Sequence, residues 1–262
     1  MNFDLSDEQK MLAEQARGLL AERAPYDRLR ALVDAGAEWD EPLWRELAEM
    51  GFLGARIPEA YGGLGLSDLD LGVISEELGR ANCAVPFFSS IVCTADALTI
   101  AGSEAQKAAW LPLLASGEVV AAFASAEGKD GWRPAKPSVA FADGKLTGSK
   151  SPVADAGIAD VAIVVCAHDE REALALVKLD GAKVTRTKLD SFDELRTHYR
   201  IDFDGADAEL LDGADAAVID GVLNRAAVQA AFEAVGAAEA CVHMGRDYTM
   251  DRQMFGSKRS AG

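Results

Sequence analysis

The order of patterns along the chain predicts an α+β fold: an N-terminal helical domain, a central small β-sandwich or barrel domain, and the start of a C-terminal helical bundle. Three observations carry this. Apolar residues recur at helical spacing up to residue 117. Residues 118–213 hold short β-branched stretches divided by turn signals. From about residue 214 the helical pattern returns, and 221–255 contain no proline. The expected domains are therefore 1–117, 118–213 and 214–262.

The first helix starts at a capping box, with Ser6 as cap and Gln9 three residues on, and Leu12, Ala16, Leu19 and Leu20 follow at helical spacing. A second helix is expected near 41–50, with Trp44, Leu47 and Ala48 on one face and Gly51 as its stop. Residues 57–65 hold three glycines and a proline, which reads as a loop. A third helix covers about 68–80. Pro86 leads into an Ala-rich helix, and Ser103 with Gln106 opens another through Trp110 and Leu114. Strands are expected at 119–124, 138–141, 145–147, 161–165, 174–177, 183–187 and 199–203, with turns at Asp143-Gly144 and Asp180-Gly181. Spacing of this sort suits a small sandwich or barrel. A single helix over 221–255 would be roughly 50 Å long.

Of the 262 residues, 49% are hydrophobic and 26% charged, the profile of a soluble globular protein. The formal net charge of -17 repels phosphate backbones and argues against nucleic-acid binding. The charge is uneven: residues 129–200 carry 12 Lys and Arg against 11 Asp and Glu, while the rest carries 14 against 32. An anionic cofactor meets least repulsion at that middle segment, although compositional drift gives the same pattern. Cys83, Cys93, Cys166 and Cys241 form no CxxC pair and no Cys/His cluster of metal-ligand spacing. They read as buried free thiols in a reducing compartment. His168, His198 and His243 are scattered, and no metal site is expected. No signal peptide opens the chain and no run is apolar enough to span a membrane, so the cytoplasm is the expected location.

Three stretches are distinctive. The first is Leu43-Trp44-Arg45-Glu46-Leu47-Ala48-Glu49-Met50-Gly51-Phe52-Leu53-Gly54, continuing through Pro58-Glu59-Ala60-Tyr61-Gly62-Gly63-Leu64-Gly65 to Glu76-Glu77-Leu78-Gly79-Arg80. The second is Gly102-Ser103-Glu104-Ala105-Gln106-Lys107 with Trp110-Leu111-Pro112 and Gly117-Glu118. The third is Tyr248-Thr249-Met250-Asp251-Arg252-Gln253-Met254-Phe255-Gly256, of the form Y-x-x-x-R-x-x-F-G. In this order, and together covering about residues 3–256, the three resemble the acyl-CoA dehydrogenase family.

The resemblance implies FAD bound between the β-domain and the C-terminal helices. It implies an acyl-CoA substrate whose α-proton goes to a glutamate and whose β-hydrogen leaves as hydride. It further implies electron-transfer flavoprotein as acceptor, assembly into homo- or hetero-oligomers, and a place in fatty acid or lipid catabolism. The chemistry requires a positioned carboxylate acting together with a polarised thioester carbonyl, and a flavin for the redox step.

The family's flavin-contacting strand often reads Y/A-x-x-T-E-P-x-A-G-S-D. Here the stretch is Phe123-Ala124-Ser125-Ala126-Glu127-Gly128-Lys129-Asp130. Glu127 matches, Ala126 replaces the threonine, and Ser125 is one position off, hence on the other strand face. Phe123, Ser125 and Glu127 are the candidates, either against a flavin or on a plain structural strand. The family's W-x-[ST]-N falls at Pro152, Val153, Ala154 and Asp155, closer to a divergent branch that reads K-x-x-V-x-D-A before A-D, as in Ala159-Asp160. Val153 and Asp155 are the flavin candidates there. The resemblance assigns Arg252 and Phe255 to FAD, partly across a subunit interface; an arginine fork suits a pyrophosphate, and equally a helix end at the surface.

Arg225 matches a substrate-contacting arginine, and Asn224 stands where some members carry the catalytic carboxylate. Asp220 reads as the cap of that helix. Glu76 and Glu77 read as a solvated face or a structural contact. Tyr61 with Gly62, Gly63 and Gly65 makes a turn, not a phosphate loop. After Gly256 the family continues with proline and an aromatic-Gln pair, whereas this chain reads Ser257-Lys258-Arg259-Ser260-Ala261-Gly262. The usual glutamate is thus expected beyond the chain, no catalytic residue is assigned, and the long helix is expected to expose an apolar face. The readings weighed are a truncated FAD-dependent acyl-CoA dehydrogenase, a non-catalytic subunit partnering an active one, and a non-functional fragment.

Overall fold

The structure, a computed structural model, describes residues 4–128, 133–134, 136–254 and 257–258, with 253–254 and 257–258 given by their backbone alone. Helix α1 (Asp7–Arg23) opens on the expected capping box: Ser6 Oγ accepts from Gln9 N at 3.2 Å, and Gln9 Oε1 accepts from Ser6 N at 3.0 Å. Helix α2 (Tyr26–Asp34) was not predicted; it follows Pro25 with no side-chain cap to announce it. Helix α3 (Glu41–Glu49) is capped by buried Asp40, which accepts from Leu43 N at 3.1 Å and is gripped by Arg28 at 2.5 and 2.6 Å. The glycine-rich loop contains one 3-10 turn, Glu59–Tyr61, and leads to α4 (Asp68–Arg80).

After Pro86 the chain forms a π-helical segment, Phe88–Ala95, which runs into α5 (Asp96–Ala101). Helix α6 (Glu104–Ala115) has the second expected box at Ser103 and Gln106. Seven strands follow: β1 (Ala121–Ala124), β2 (Ala140–Ala142), β3 (Lys145–Ala154), β4 (Val161–His168), β5 (Arg171–Lys178), β6 (Val184–Lys188) and β7 (His198–Leu210). They close a circuit β4-β2-β3-β7-β5 and back to β4, with β1 extending the β2 edge of β4 and β6 paired to β7. The barrel alternative is the one realised. Closure leaves few free edges.

The outer edge of β1 is closed by side chains. Ser90 Oγ donates to Ala121 O and accepts from Ala121 N, both at 2.9 Å, and Thr94 Oγ1 donates to Ala122 O at 3.1 Å. Both hydroxyls are buried. The π-helical segment thus replaces a missing strand and satisfies backbone groups that burial would otherwise orphan.

Helix α7 (Ala216–Asp251) is capped by Asp215, whose carboxylate accepts from Val218 N at 2.9 Å. Asp220, expected as the cap, instead pairs with Arg133. The helix also ends before residue 255: Arg252 is extended, and Gln253–Met254 pairs antiparallel with Ser257–Lys258. Helix α7 lies along α4 at very short range. A Cβ on Gly236 would sit 1.9 Å from Glu76 O, and one on Gly79 would sit 2.0 Å from Glu233 O.

One apolar cluster runs through all three parts, from Ala16 and Trp44 through Val164 to Ala226. Glu77, 3% exposed, resolves to a structural contact, held by Arg17 and Arg80. Cys83, Cys93 and Cys166 are buried free thiols as expected, but Cys241 is exposed. It lies in the stretch 241–250 of α7, every residue of which is exposed.

Candidate functional site

The helical block, the barrel and α7 converge on a cleft of about 340 Å³. The π-helical segment contributes Phe88, Ser89 and Cys93. Strand β1 and the residue after it contribute Phe123 and Ser125, and the end of β3 contributes Ala154. Leu223, Ala226 and Ala227 come from the first half of α7. Larger clefts of about 750, 560 and 390 Å³ lie beside Trp44, beside Trp110 and beside Asp190, but none of the three draws a residue from α7. Sites at the junction of structural units are where ligands are most often held.

The cleft is apolar apart from two hydroxyls. Ser89 Oγ is fixed: it donates to Pro86 O at 3.2 Å and lies 2.5 Å from Asp155 Oδ2. Burial pushes the Asp155 carboxyl up, against the opposing pull of Ser89, Arg196 and His198. Asp155 adopts a left-handed backbone, φ +58°. Burial also pushes the Cys93 thiol up, and Asp96 and Asp155 add to it. Among the described residues that line the cleft there is no carboxylate and no cation.

The sequence candidates fall into three groups. Phe123 and Ser125 line the cleft. Asp155 stands directly behind Ser89. The others go elsewhere. Glu127 closes a buried ion pair with Lys150 at 2.6 Å and accepts from Ser138 N and Val139 N at 2.7 and 3.3 Å. Val153 is 1% exposed in the core, and by strand alternation its neighbour Ala154 faces the cleft instead. Arg225 does not line the cleft; its Nε donates to fully buried Asp96 at 2.9 Å, and Arg56 holds the same carboxylate.

Arg252 is exposed at the far end of α7, its guanidinium 5.6 Å from the Tyr248 ring. Twenty-five residues of helix separate it from Ala227, about 38 Å at the standard rise. Phe255 lies outside the described residues, as do Lys129 and Asp130 of the first flavin-like stretch. Sequence reasoning missed Ser89, Cys93, Leu223, Ala226 and Ala227. Among the described residues, no group of three His, Cys, Asp or Glu could hold a metal ion, and no helix is long and apolar enough to cross a membrane.

A helical block, a small closed barrel and a long helix that meet at one apolar cleft define the class: a helix–barrel–helix chain whose ligand site is shared by all three parts. Residues 6–118 match the family model described as acyl-CoA dehydrogenase, N-terminal domain. The chain is 30% identical over 280 residues to (2S)-methylsuccinyl-CoA dehydrogenase of Cereibacter sphaeroides, covering 96% of this chain and 51% of that protein. It is 28% identical over 284 residues to glutaryl-CoA dehydrogenase of Desulfococcus multivorans, covering 98% of this chain and 71% of that one. The solved glutaryl-CoA dehydrogenase of Mycobacterium smegmatis in complex with FADH2 shares the fold, with a TM-score of 0.88, 22% identity, and coverage of 97% of this chain and 68% of that one. The chain belongs to the acyl-CoA dehydrogenase family. It spans about half the length of the first of these curated relatives.

Proposed function

We propose that this chain holds FAD in the cleft between β1, the end of β3 and α7, and serves the α,β-dehydrogenation of an acyl-CoA thioester. One observation carries the reading: Phe123 and Ser125, from the flavin-like stretch, face Leu223, Ala226 and Ala227 of α7 across one apolar cleft. Half-buried Phe123 offers a flat surface for a ring system, and the small residues Ala154, Ala226 and Ala227 leave room for one. Bound FAD supplies the hydride acceptor of the reaction.

The chain's own residues do the rest. The apolar walls keep water from the reacting atoms and strengthen any dipole aimed at them. Ser125 and Ser89 offer the hydroxyls that can orient a polar group, and Asp155 fixes the Ser89 hydroxyl from behind. Among the described residues no carboxylate lines the cleft to take the α-proton, and Asn224 is exposed outside the lining, so proton abstraction is assigned to no residue here. Arg252 serves a flavin only from a second chain, which agrees with an oligomeric assembly, and electron-transfer flavoprotein is the proposed acceptor.

The second reading is a non-catalytic subunit that partners an active homologue. The commitment of Glu127 to Lys150 favours it. A titration with FAD, followed by flavin fluorescence and by co-elution on gel filtration, separates the two. Stoichiometric binding supports the dehydrogenase reading. Absence of binding removes it and leaves the structural subunit.

A further inference from the structure

We propose that the acyl group accepted by this cleft is uncharged and apolar, so that acyl-CoA thioesters carrying a second carboxylate are excluded. The inference rests on the reading of the cleft as the flavin and thioester site, and it concerns what that site selects. Two relatives are named for acyl groups that do carry a second carboxylate, glutaryl and methylsuccinyl. A site for such a group needs a cation or a set of converging donors at the distal end, because an ionised carboxylate is not taken into an apolar cavity unpaired.

This cleft provides neither. Phe88, Cys93, Phe123, Leu223 and Ala226 give it apolar walls, and its two hydroxyls belong to Ser89 and Ser125. Among the described residues, no lysine, arginine or histidine lines it. The nearby guanidiniums are already neutralised. Arg225 donates to Asp96 at 2.9 Å, Arg56 is bound to Asp96 and Asp68, and Arg196 is bound to Glu233. The Ser89 hydroxyl is turned toward acceptors, Pro86 O and Asp155 Oδ2, and has no second proton to give. A distal carboxylate would therefore meet carbon and sulfur without an unpaired cation among the described lining residues, whereas a hydrocarbon chain would meet surfaces of its own kind.

The test uses the full chain loaded with FAD. Butyryl-CoA, hexanoyl-CoA, succinyl-CoA and glutaryl-CoA are titrated in turn, with affinity read by calorimetry and by perturbation of the flavin spectrum. The CoA moiety is common to all four, so the ratio of dissociation constants isolates the acyl group. The neutral thioesters are expected to bind roughly 100-fold tighter than the dicarboxylic ones, the scale of leaving one charge unpaired in an apolar site. Glutaryl-CoA within tenfold of butyryl-CoA overturns the inference, as does failure of the neutral thioesters to bind the flavin-loaded protein. A chain that takes up no FAD instead removes the underlying reading, and the inference with it.

The variant Ala227→Arg supplies a second arm. Ala227 is an exposed helical residue at the cleft, so the arginine is accommodated without repacking the core. The variant is expected to bring the glutaryl-CoA and butyryl-CoA affinities at least about tenfold closer, by pairing the second carboxylate. An unchanged ratio in a variant of native circular dichroism overturns the proposal.

Discussion

Lys150 has no exposed surface, and its ammonium is held by two acceptors: it donates to Glu127 Oε1 at 2.6 Å and to Ser125 O at 3.1 Å. It thereby anchors a residue of the cleft wall. Removing one member of such a pair strands the other, which costs about 3–5 kcal/mol. The two truncations are not equivalent. Glu127 without Lys150 keeps the Ser138 and Val139 amides, whereas Lys150 without Glu127 keeps one carbonyl. Glu127→Ala is therefore expected to lower stability more than Lys150→Met, measured by urea unfolding; the reverse order would refute this account of the pair. The pH dependence has a definite sign. Burial pushes the Glu127 carboxyl up, but hydrogen bonds from Lys150 and Ser138 outweigh it and leave the pKa lowered. Its contribution is thus complete above the ordinary carboxylate range and is lost as pH falls through the lower folded value. Asp155 runs the other way. Burial leaves its pKa raised, so ionisation costs stability, and the cost disappears below the ordinary carboxylate range. Asn tolerates the left-handed backbone at this position and keeps an acceptor for Ser89. Asp155→Asn is expected to raise Tm at pH 7 and to leave it unchanged near pH 3; a fall at pH 7 would show that the charge stabilises.

At the scale of elements, the contact between α4 and α7 decides where the cleft opens, because α7 forms one wall of it. Gly79 and Gly236 allow the two backbones to meet, and no side chain fits at either position. Gly→Ala within a helix ordinarily stabilises by about 0.8–1 kcal/mol, as expected for Gly245, which has nothing within 4 Å of a built Cβ. At Gly236 the sign should reverse, with overpacking costing about 1–3 kcal/mol. Thermal unfolding of Gly236→Ala beside Gly245→Ala gives the comparison, and stabilisation of both would refute the close packing. Elements fixed by local chemistry were legible in the sequence. The Ser6 and Ser103 boxes work within four residues, and both helices start where expected. Elements fixed at long range were not. Ser90 and Thr94 bond to β1 about thirty residues away, and nothing in their own neighbourhood announces a π-helical winding. Strand β3 was read as three residues of ten, because Gly148 at φ +128° and the register shift between Lys150 and Val153 interrupt its alternation. The cleft was half legible for the same reason. Phe123 and Ser125 carry a motif, but Leu223, Ala226 and Ala227 are indistinguishable in sequence from helix core. The partners of Glu127 and Arg225, Lys150 and Asp96, lie 23 and 129 positions away, beyond the reach of any local pattern.

For the molecule as a whole, two long-range effects oppose each other. The net charge of -17 repels a second copy. Against this, α7 presents Val228, Val235 and Val242 at seven-residue spacing, 53%, 57% and 68% exposed, with Ala231 and Ala238 between them. Small residues between the valines let another surface approach closely. Burying each valine stabilises association by about 1.5–3 kcal/mol, a range that applies to full burial. Charge repulsion between copies extends over about 30 Å at 10 mM salt and about 8 Å at 150 mM. Added salt should therefore weaken the repulsion and leave the apolar term intact. Sedimentation velocity at both salt concentrations is expected to show more association at the higher one. The double variant Val235→Lys, Val242→Lys should reduce that association and the binding of an apolar fluorescent dye, since it introduces ammonium groups into the stripe. Dissociation on adding salt would mean that ion pairs, not the stripe, hold the copies together. A double variant that associates as strongly as the parent would place the contact on another surface.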